Sequence, residues 1–335
     1  MRVLVTGGAG FIGSHLCEAL VGRGQRVTAL DNLSTGSRDN LAAVEDSERF
    51  RLVEGSILDE SLVDRLLAEA DLCYHLAAAV GVRTILERPL QSLRTNVRGT
   101  ELVLEAACCH AVPTVVASTS EVYGKNDSGA LSEDADRILG SSQVSRWHYA
   151  TAKAADEALA LSYVQERGLR AIVVRLFNTI GPRQTGRYGM VVPRLAAQAR
   201  AGKPLTVYGD GLQTRCFTYV GDTVRCLIAL AETPAAWGEV FNIGHPQEVS
   251  ILDLAHRLRE LTGSRSEIVL VPYAEAYGPG FEDMRRRVPD VTKLRAMLGF
   301  VPDTPLEVTL RAILDASQAA ETTPRGVPAG TEPLG

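Results

Sequence analysis

The chain has 335 residues, 45% of them hydrophobic, and a formal net charge of −5. That length supports a large core and two domains or lobes, while an acidic balance with no block of basic residues argues against nucleic acid or an anionic membrane as partner. No apolar stretch approaches the roughly 20 residues that span a bilayer, no leader is read ahead of the first strand, and the cysteines at 17, 73, 108, 109, 216 and 226 form no C-x-x-C pair or metal-ligand cluster; thiols that are mostly buried, no metal and a reducing cytoplasm are the expectation.

An apolar strand at 2–6 ends in Thr6. Glycines follow at 7, 8, 10 and 13, and a helical pattern runs over 11–23 with Ile12, Leu16 and Leu20 on one stripe. The first glycines permit a sharp turn with positive φ. Gly10 lets the backbone approach a phosphate, Gly13 lets the helix pack on the strand, and the N–H groups of the helix start face a pyrophosphate. A second strand, 26–31, ends at Asp31-Asn32, eighteen residues after Gly13. An acid there bonds the adenosine ribose 2′-hydroxyl and repels a 2′-phosphate, which selects NAD over NADP. Glycines alone build only a tight turn, and Asp31 alone only caps a loop. It is the full order of strand, glycines, helix, second strand and acid that points to a dinucleotide.

Further strands at 51–54, 72–76, 113–117 and 171–176 alternate with helices near 60–69, 90–110 and 149–166, the pattern of a Rossmann-type, doubly wound parallel α/β sheet. The rhythm changes after residue 178. Helices near 190–202, 220–233, 250–262 and 305–318, with short strands near 206–208, 240–243 and 268–271, read as a smaller lobe over the carboxyl edge of the sheet, from which strands are free to cross back. The expected division is 1–178 for the cofactor domain, 179–320 for the substrate lobe and 321–335 for a mobile tail. Tyr149 and Lys153 stand at i and i+4 on one helix face. An ammonium beside a phenol favours the phenolate, so Tyr149 could take a proton from a substrate hydroxyl; a surface Tyr–Lys pair is the bland alternative.

Gly7-x-x-Gly10-x-x-Gly13, Asp31-Asn32, His75-Leu76-Ala77-Ala78, Asn96-Val-x-Gly99-Thr100, Tyr123-Gly124, Tyr149-x-x-x-Lys153 and Arg175-x-Phe177-Asn178 together resemble the extended short-chain dehydrogenase/reductases that act on nucleotide sugars, over residues 1 to about 318. The resemblance implies NAD held by Gly7, Gly10, Phe11, Ile12, Gly13, Asp31, Asn32, Ser34, Thr35, Gly36, Ser56, Ile57, Leu76, Ala77 and Ala78, with Tyr149 and Lys153 at its reactive end. Asn96 would lie under the cofactor or serve as a satisfied core amide. Ser56 stands where the family commonly has an adenine-contacting Asp.

Within that family, Thr119-Ser120-Glu121 resembles the UDP-glucuronic acid decarboxylases. A neutral-sugar 4-epimerase usually has no acid at that place, and a 4,6-dehydratase usually has an Asp-Glu pair. The branch resemblance implies UDP-glucuronic acid as substrate, with Thr206 to Tyr208 at the uracil, Arg215 and Asn178 at the diphosphate or sugar, Arg287 near the carboxylate, and Val192 on the nucleotide wall. Tyr149 and Lys153 would act with Thr119, Ser120 and Glu121 through a 4-keto intermediate to UDP-xylose or the 4-keto pentose. Arg187, in a loop longer than the decarboxylase pattern, keeps a UDP-glucuronic acid 4-epimerase open, and a non-catalytic NAD-binding regulator is a distant third reading. Resemblance also implies a homodimer built on the 90–110 and 149–166 helices, where Ala107 and Leu161 could instead pack inside the subunit.

Overall fold

In the computed structural model, residues 1–79, 88–186, 190–278 and 283–322 are described. The strands are β1 (Arg2–Thr6), β2 (Arg26–Asp31), β3 (Phe50–Glu54), β4 (Leu72–His75), β5 (Thr114–Thr119), β6 (Ala130–Leu131), β7 (Ala171–Leu176) and β8 (Thr179–Ile180). They continue with β9 (Leu205–Tyr208), β10 (Thr214–Cys216), β11 (Thr218–Tyr219), β12 (Val240–Ile243), β13 (Glu248–Ser250), β14 (Ile268–Val271) and β15 (Val288–Pro289). Seven of them form one sheet in the order β12-β7-β5-β4-β1-β2-β3, and every neighbouring pair in it is parallel.

Alternation along each strand divides the core between the two faces of the sheet. Val3 and Val5 of β1 join one apolar cluster and Leu4 joins the other, as the two-residue period of a strand requires. The Phe11–Gly22 helix packs Leu16, Cys17 and Leu20 onto the first face, beside Val224 and Leu227 of the Val220–Glu232 helix. The Glu60–Ala68, Pro89–Cys109 and His148–Arg167 helices cover the second with Leu66, Val103 and Ala160 among others. Ala107 belongs to this interior and packs within the subunit. The chain winds outward from β1 to β3, then restarts at β4 on the other side of β1. The reversal opens a crevice at the carboxyl ends of β1 and β4, the place where such sheets bind ligands.

The smaller lobe has its own core of Ile180, Val192, Leu195, Leu205, Val207, Phe217, Leu254, Leu258 and Leu310. Two parts expected in it lie elsewhere. Val240–Ile243 pairs with Val173–Leu176 at the edge of the large sheet, and the Val220–Glu232 helix covers that sheet. Their apolar residues, including Phe241 and Ile243, complete the first core layer, so the chain leaves the sheet after β7 and crosses back into it. Short ladders, β8 with β11, β10 with β13, β9 with β14 and β6 with β15, tie the lobe together and back onto the sheet. The last helix runs Leu306–Thr322, so the tail expected from 321 begins as helix; residues 323–335 lie outside the described residues.

Candidate active site

The glycine turn after β1 is shaped by close approach. Gly7 has φ +72° and donates its N–H to Leu30 O at 2.8 Å. A Cβ on Gly7 would lie 2.8 Å from Ala77 N, and one on Gly13 would lie 2.1 Å from Gly7 O. At Gly10 a Cβ would meet Gly7 O at 3.1 Å and, chain neighbours and the helix's own backbone aside, nothing else among the described residues within 4 Å, so this side of the turn stays open to a ligand. Gly10 caps the helix with no side chain, and the first turn carries no acid, which leaves its N–H dipoles for an anion. Asp31 ends β2 beside this opening and accepts from Ala9 N at 3.0 Å and Leu33 N at 2.8 Å. Burial raises its carboxyl above the usual range and these N–H bonds pull against the rise. Ser37 N and Asn40 Nδ2 both donate to Ala9 O, at 3.1 and 2.9 Å, which folds the Asn32–Gly36 loop with Ser34 and Thr35 over the turn. The donor set fits a dinucleotide: open backbone for a pyrophosphate and a carboxylate for ribose hydroxyls.

The chain after β4 forms the opposite wall. Leu76 N and Ala77 N donate to Thr6 O and Thr6 Oγ1 at 3.1 and 3.2 Å. Ala79 is clamped by Asn96, whose Oδ1 accepts from Ala79 N at 2.7 Å and whose Nδ2 donates to Ala79 O at 3.3 Å. Asn96 is therefore a satisfied buried amide that shapes the loop carrying Leu76, Ala77 and Ala78. Ser56 accepts from Leu58 N at 3.1 Å and so closes its own turn. The Ile57 side chain is buried against Gly99, where a Cβ would lie 2.4 Å from Ile57 Cδ1.

β5 extends two residues past its expected end because Ser118 and Thr119 stay in register with Arg175 and Leu176. Thr119 closes the strand and its Oγ1 accepts from Glu121 N at 3.3 Å, which starts the Ser120–Tyr123 turn. The His148–Arg167 helix packs on this turn and brings Tyr149 and Lys153 to the same edge. Lys153 Nζ donates to Asp156 Oδ2 at 2.7 Å, and both side chains are buried. The Tyr149 phenol is pushed above its usual value, first by burial and then by the charges of Glu121 and Asp156. The expected lowering is thus not found, and burial comes first among the causes of the rise. Tyr123 and Arg175 are framework: Glu157 holds Arg175 Nε and Nη2 at 2.9 and 2.8 Å, and the Tyr123 hydroxyl accepts from Arg175 Nη1 and donates to Asn242 Oδ1, both at 2.8 Å.

Glu121 faces the lobe. Its Oε1 accepts from Arg287 Nη1 at 2.7 Å, and its Oε2 pairs with Arg146. Arg287 Nη2 donates to Asn178 Oδ1 at 3.4 Å. Arg215 donates to Asp283 at 2.9 Å, and Arg146 approaches the same acid at 3.7 Å. Three buried arginines thus share two acids, and the positive excess suits a substrate with several negative charges. Arg146 and Asp156 are absent from the sequence-based candidates. The available signals were an arginine three residues before Tyr149 and an acid seven residues after it on the same stripe.

In the lobe, Thr206 is bound by its neighbours: Arg194 Nη1 donates to Thr206 O at 2.7 Å and to its hydroxyl, and Gln198 Oε1 accepts from Thr206 N at 3.1 Å. The Arg194 guanidinium covers the Tyr208 ring at 4.1 Å. The Val192 side chain is buried in the lobe's core, so any contact it makes with a nucleotide runs through its backbone. Arg187 lies outside the described residues. The loop before it docks on the first helix, where Arg183 bonds Ser14 Oγ and Glu18 and His15 Nε2 meets Pro182 O.

A model of the NAD dependent epimerase/dehydratase family matches residues 3–244. A UDP-N-acetyl-alpha-D-glucosaminuronate decarboxylase of Bacillus cytotoxicus is 44% identical over 311 residues, 92% of this chain and 95% of that protein. The UDP-glucuronic acid decarboxylase 1 of Xenopus tropicalis is 37% identical over 306 residues, 91% of this chain and 69% of that protein. Among solved structures, a UDP-glucuronic acid 4-epimerase from Bacillus cereus, in complex with UDP-glucuronic acid and NAD, superposes with a TM-score of 0.86 at 33% identity, over 96% of this chain and all of that one (100%).

Proposed function

The chain belongs to the NAD dependent epimerase/dehydratase family, and from that premise we propose that it is an NAD-dependent decarboxylase of a UDP-uronic acid, with UDP-glucuronic acid as substrate. The observation that carries this reading is Glu121, an acid held between Arg146 and Arg287 close enough to Tyr149 for its charge to act on the phenol. The decarboxylase names of relatives at 44% and 37% identity support it.

Gly7, Gly10, Gly13 and Asp31 would hold NAD, with the loop at Leu76–Ala78 on its nicotinamide side. The chemistry this cofactor supplies is reversible hydride transfer at the sugar C4. Tyr149 takes the proton of the C4 hydroxyl and Lys153 supports it. The resulting ketone is β to the C5 carboxylate, so carbon dioxide leaves as the C5–C6 electron pair moves into an enolate. The Thr119 hydroxyl accepts from Glu121 N, which leaves its own hydrogen to stabilise that oxyanion together with Ser120. Glu121, kept ionised, orients the ring and the water that returns a proton to C5. Arg146, Arg215 and Arg287, with Asn178, neutralise the diphosphate and carboxylate, and the Thr206–Tyr208 strand with Val192 forms the uracil side. The 4-epimerase remains the second reading, on the strength of the Bacillus cereus neighbour; Arg187 would hold the carboxylate in the ring plane and suppress its loss.

We also read the chain as a homodimer of a reducing cytoplasm. Its six cysteines are free thiols, and the partner would sit on the helix pair Pro89–Cys109 and His148–Arg167; light scattering should return twice the chain mass. To test the activity, the protein is incubated with UDP-glucuronic acid, its 2-acetamido counterpart and neutral UDP-glucose. Loss of carbon dioxide from an acid substrate is expected. Turnover of UDP-glucose alone would overturn the reading.

A further inference from the structure

Two adjacent acids on the His148–Arg167 helix serve different partners. Glu157 accepts from Ser118 Oγ at 2.5 Å and from Arg175 Nε at 2.9 Å, inside the network that joins β5 to β7. Asp156 lies instead on the stripe of Tyr149 and Lys153, seven and three residues beyond them, where side chains share one helix face. Its Oδ2 accepts from Lys153 Nζ at 2.7 Å, and the ammonium and carboxylate side chains are 3% and 0% exposed. A buried ion pair of this kind adds little net stability over apolar residues of the same volume, and Arg175 already has Glu157. What distinguishes Asp156 is its partner, the lysine one turn from the phenol.

Building on the reading of Tyr149 as the residue that moves the hydroxyl proton, we propose that Asp156 is a positioning residue: its carboxylate anchors the Lys153 ammonium and sets how much of that positive charge reaches the Tyr149 phenol. The remaining groups around the trio are accounted for. From β4, His75 is held neutral, its value lowered to about 3 by burial and then by Lys153, and its Nε2 meets Thr100 Oγ1 at 3.0 Å. From the Pro89–Cys109 helix, the Thr100 hydroxyl also lies against Asp156, whose carboxyl burial raises. From the turn after β5, Glu121 adds a second negative charge facing the phenol. Glu121 is itself paired with Arg146 and Arg287 and Glu157 with Arg175, which leaves Lys153 and Asp156 as the pair that shares the stripe of the phenol. With Asp156 in place, less of the ammonium's charge is left to favour the phenolate that takes the hydroxyl proton.

The test is a titration of tyrosinate absorbance in the NAD-loaded protein and in its Asp156→Asn variant, each corrected with the matching Tyr149→Phe background. Removing the carboxylate should lower the pH at which Tyr149 ionises by about one unit or more, and the acidic limb of kcat/KM should move with it. Asp156→Glu should return the titration towards the wild-type position. Asp156→Ser, which keeps a polar atom in less volume, should shift it down as the Asn variant does and serves if that variant fails to fold. A phenol that ionises at the same pH with and without the carboxylate overturns the proposal, as does a loss of thermal stability with no change in titration. The absorbance reads the phenol directly, so a wrong substrate assignment would fail in the turnover assay and leave this titration standing.

Discussion

At Glu121 burial and charge pull in opposite directions. Burial alone would raise its carboxyl; Arg146 and then Arg287 overcome that and hold it well below the usual carboxylate range. A carboxyl depressed in the folded state contributes its full stabilisation above its unfolded value of about 4.3, and that stabilisation is lost only as pH falls through the folded value. Arg146→Gln removes one of the two cations, so the folded value rises towards the ordinary range. The thermal midpoint of this variant should be lower than the wild type's at neutral pH and should fall less steeply below about pH 4, because less of the stabilisation is left to lose. Its kcat/KM for the UDP-uronic acid should drop at least about tenfold, because Glu121 loses one of its two anchors. Midpoints that fall in parallel for the two proteins from neutral pH downwards would remove Arg146 from the account.

At the scale of elements, the turn between β1 and the first helix tolerates no side chain at its last glycine. Gly13→Ala places a Cβ 2.1 Å from the Gly7 carbonyl, and a backbone oxygen cannot move aside as a flexible side chain would. NAD affinity measured by fluorescence titration should fall at least about tenfold, a loss of ~1.4 kcal/mol or more; wild-type affinity in this variant would show that the turn does not carry the cofactor. This turn, the strands of the large sheet and the long helices were legible in the sequence because each carries a strong period or a glycine signature. The ladders at 130–131, 179–180, 214–216, 218–219, 248–250 and 288–289 were not, since two or three residues hold no period. A crossing back to the sheet was left open by the sequence, but that 240–243 makes it was not readable, for a related reason: an apolar run of four residues reads the same in either lobe. At the site, Tyr149, Lys153 and Glu121 were visible as motif residues. Arg146 and Asp156 were not, because their roles come from partners such as Glu121, brought close only by packing between elements.

Across the whole molecule, two layers of helices hold a parallel sheet whose strand order reverses between β1 and β4, and a lobe with its own core lies over the carboxyl edge. In the proposed function the labour divides along this plan: the sheet would present backbone and Asp31 to a dinucleotide, the β5 edge and one long helix would present Thr119, Glu121 and Tyr149, and the lobe would contribute Arg215 and Arg287. Neither a fold shared with 4-epimerases nor a common cofactor distinguishes loss of the carboxylate from inversion at C4. The chemistry at C5 does. Turnover of UDP-glucuronic acid in heavy water, read by mass spectrometry and proton resonance, should yield a pentose nucleotide lighter by carbon dioxide and carrying one solvent deuterium at C5. A product that keeps its carboxylate, with C5 undeuterated and only C4 inverted, would contradict the account.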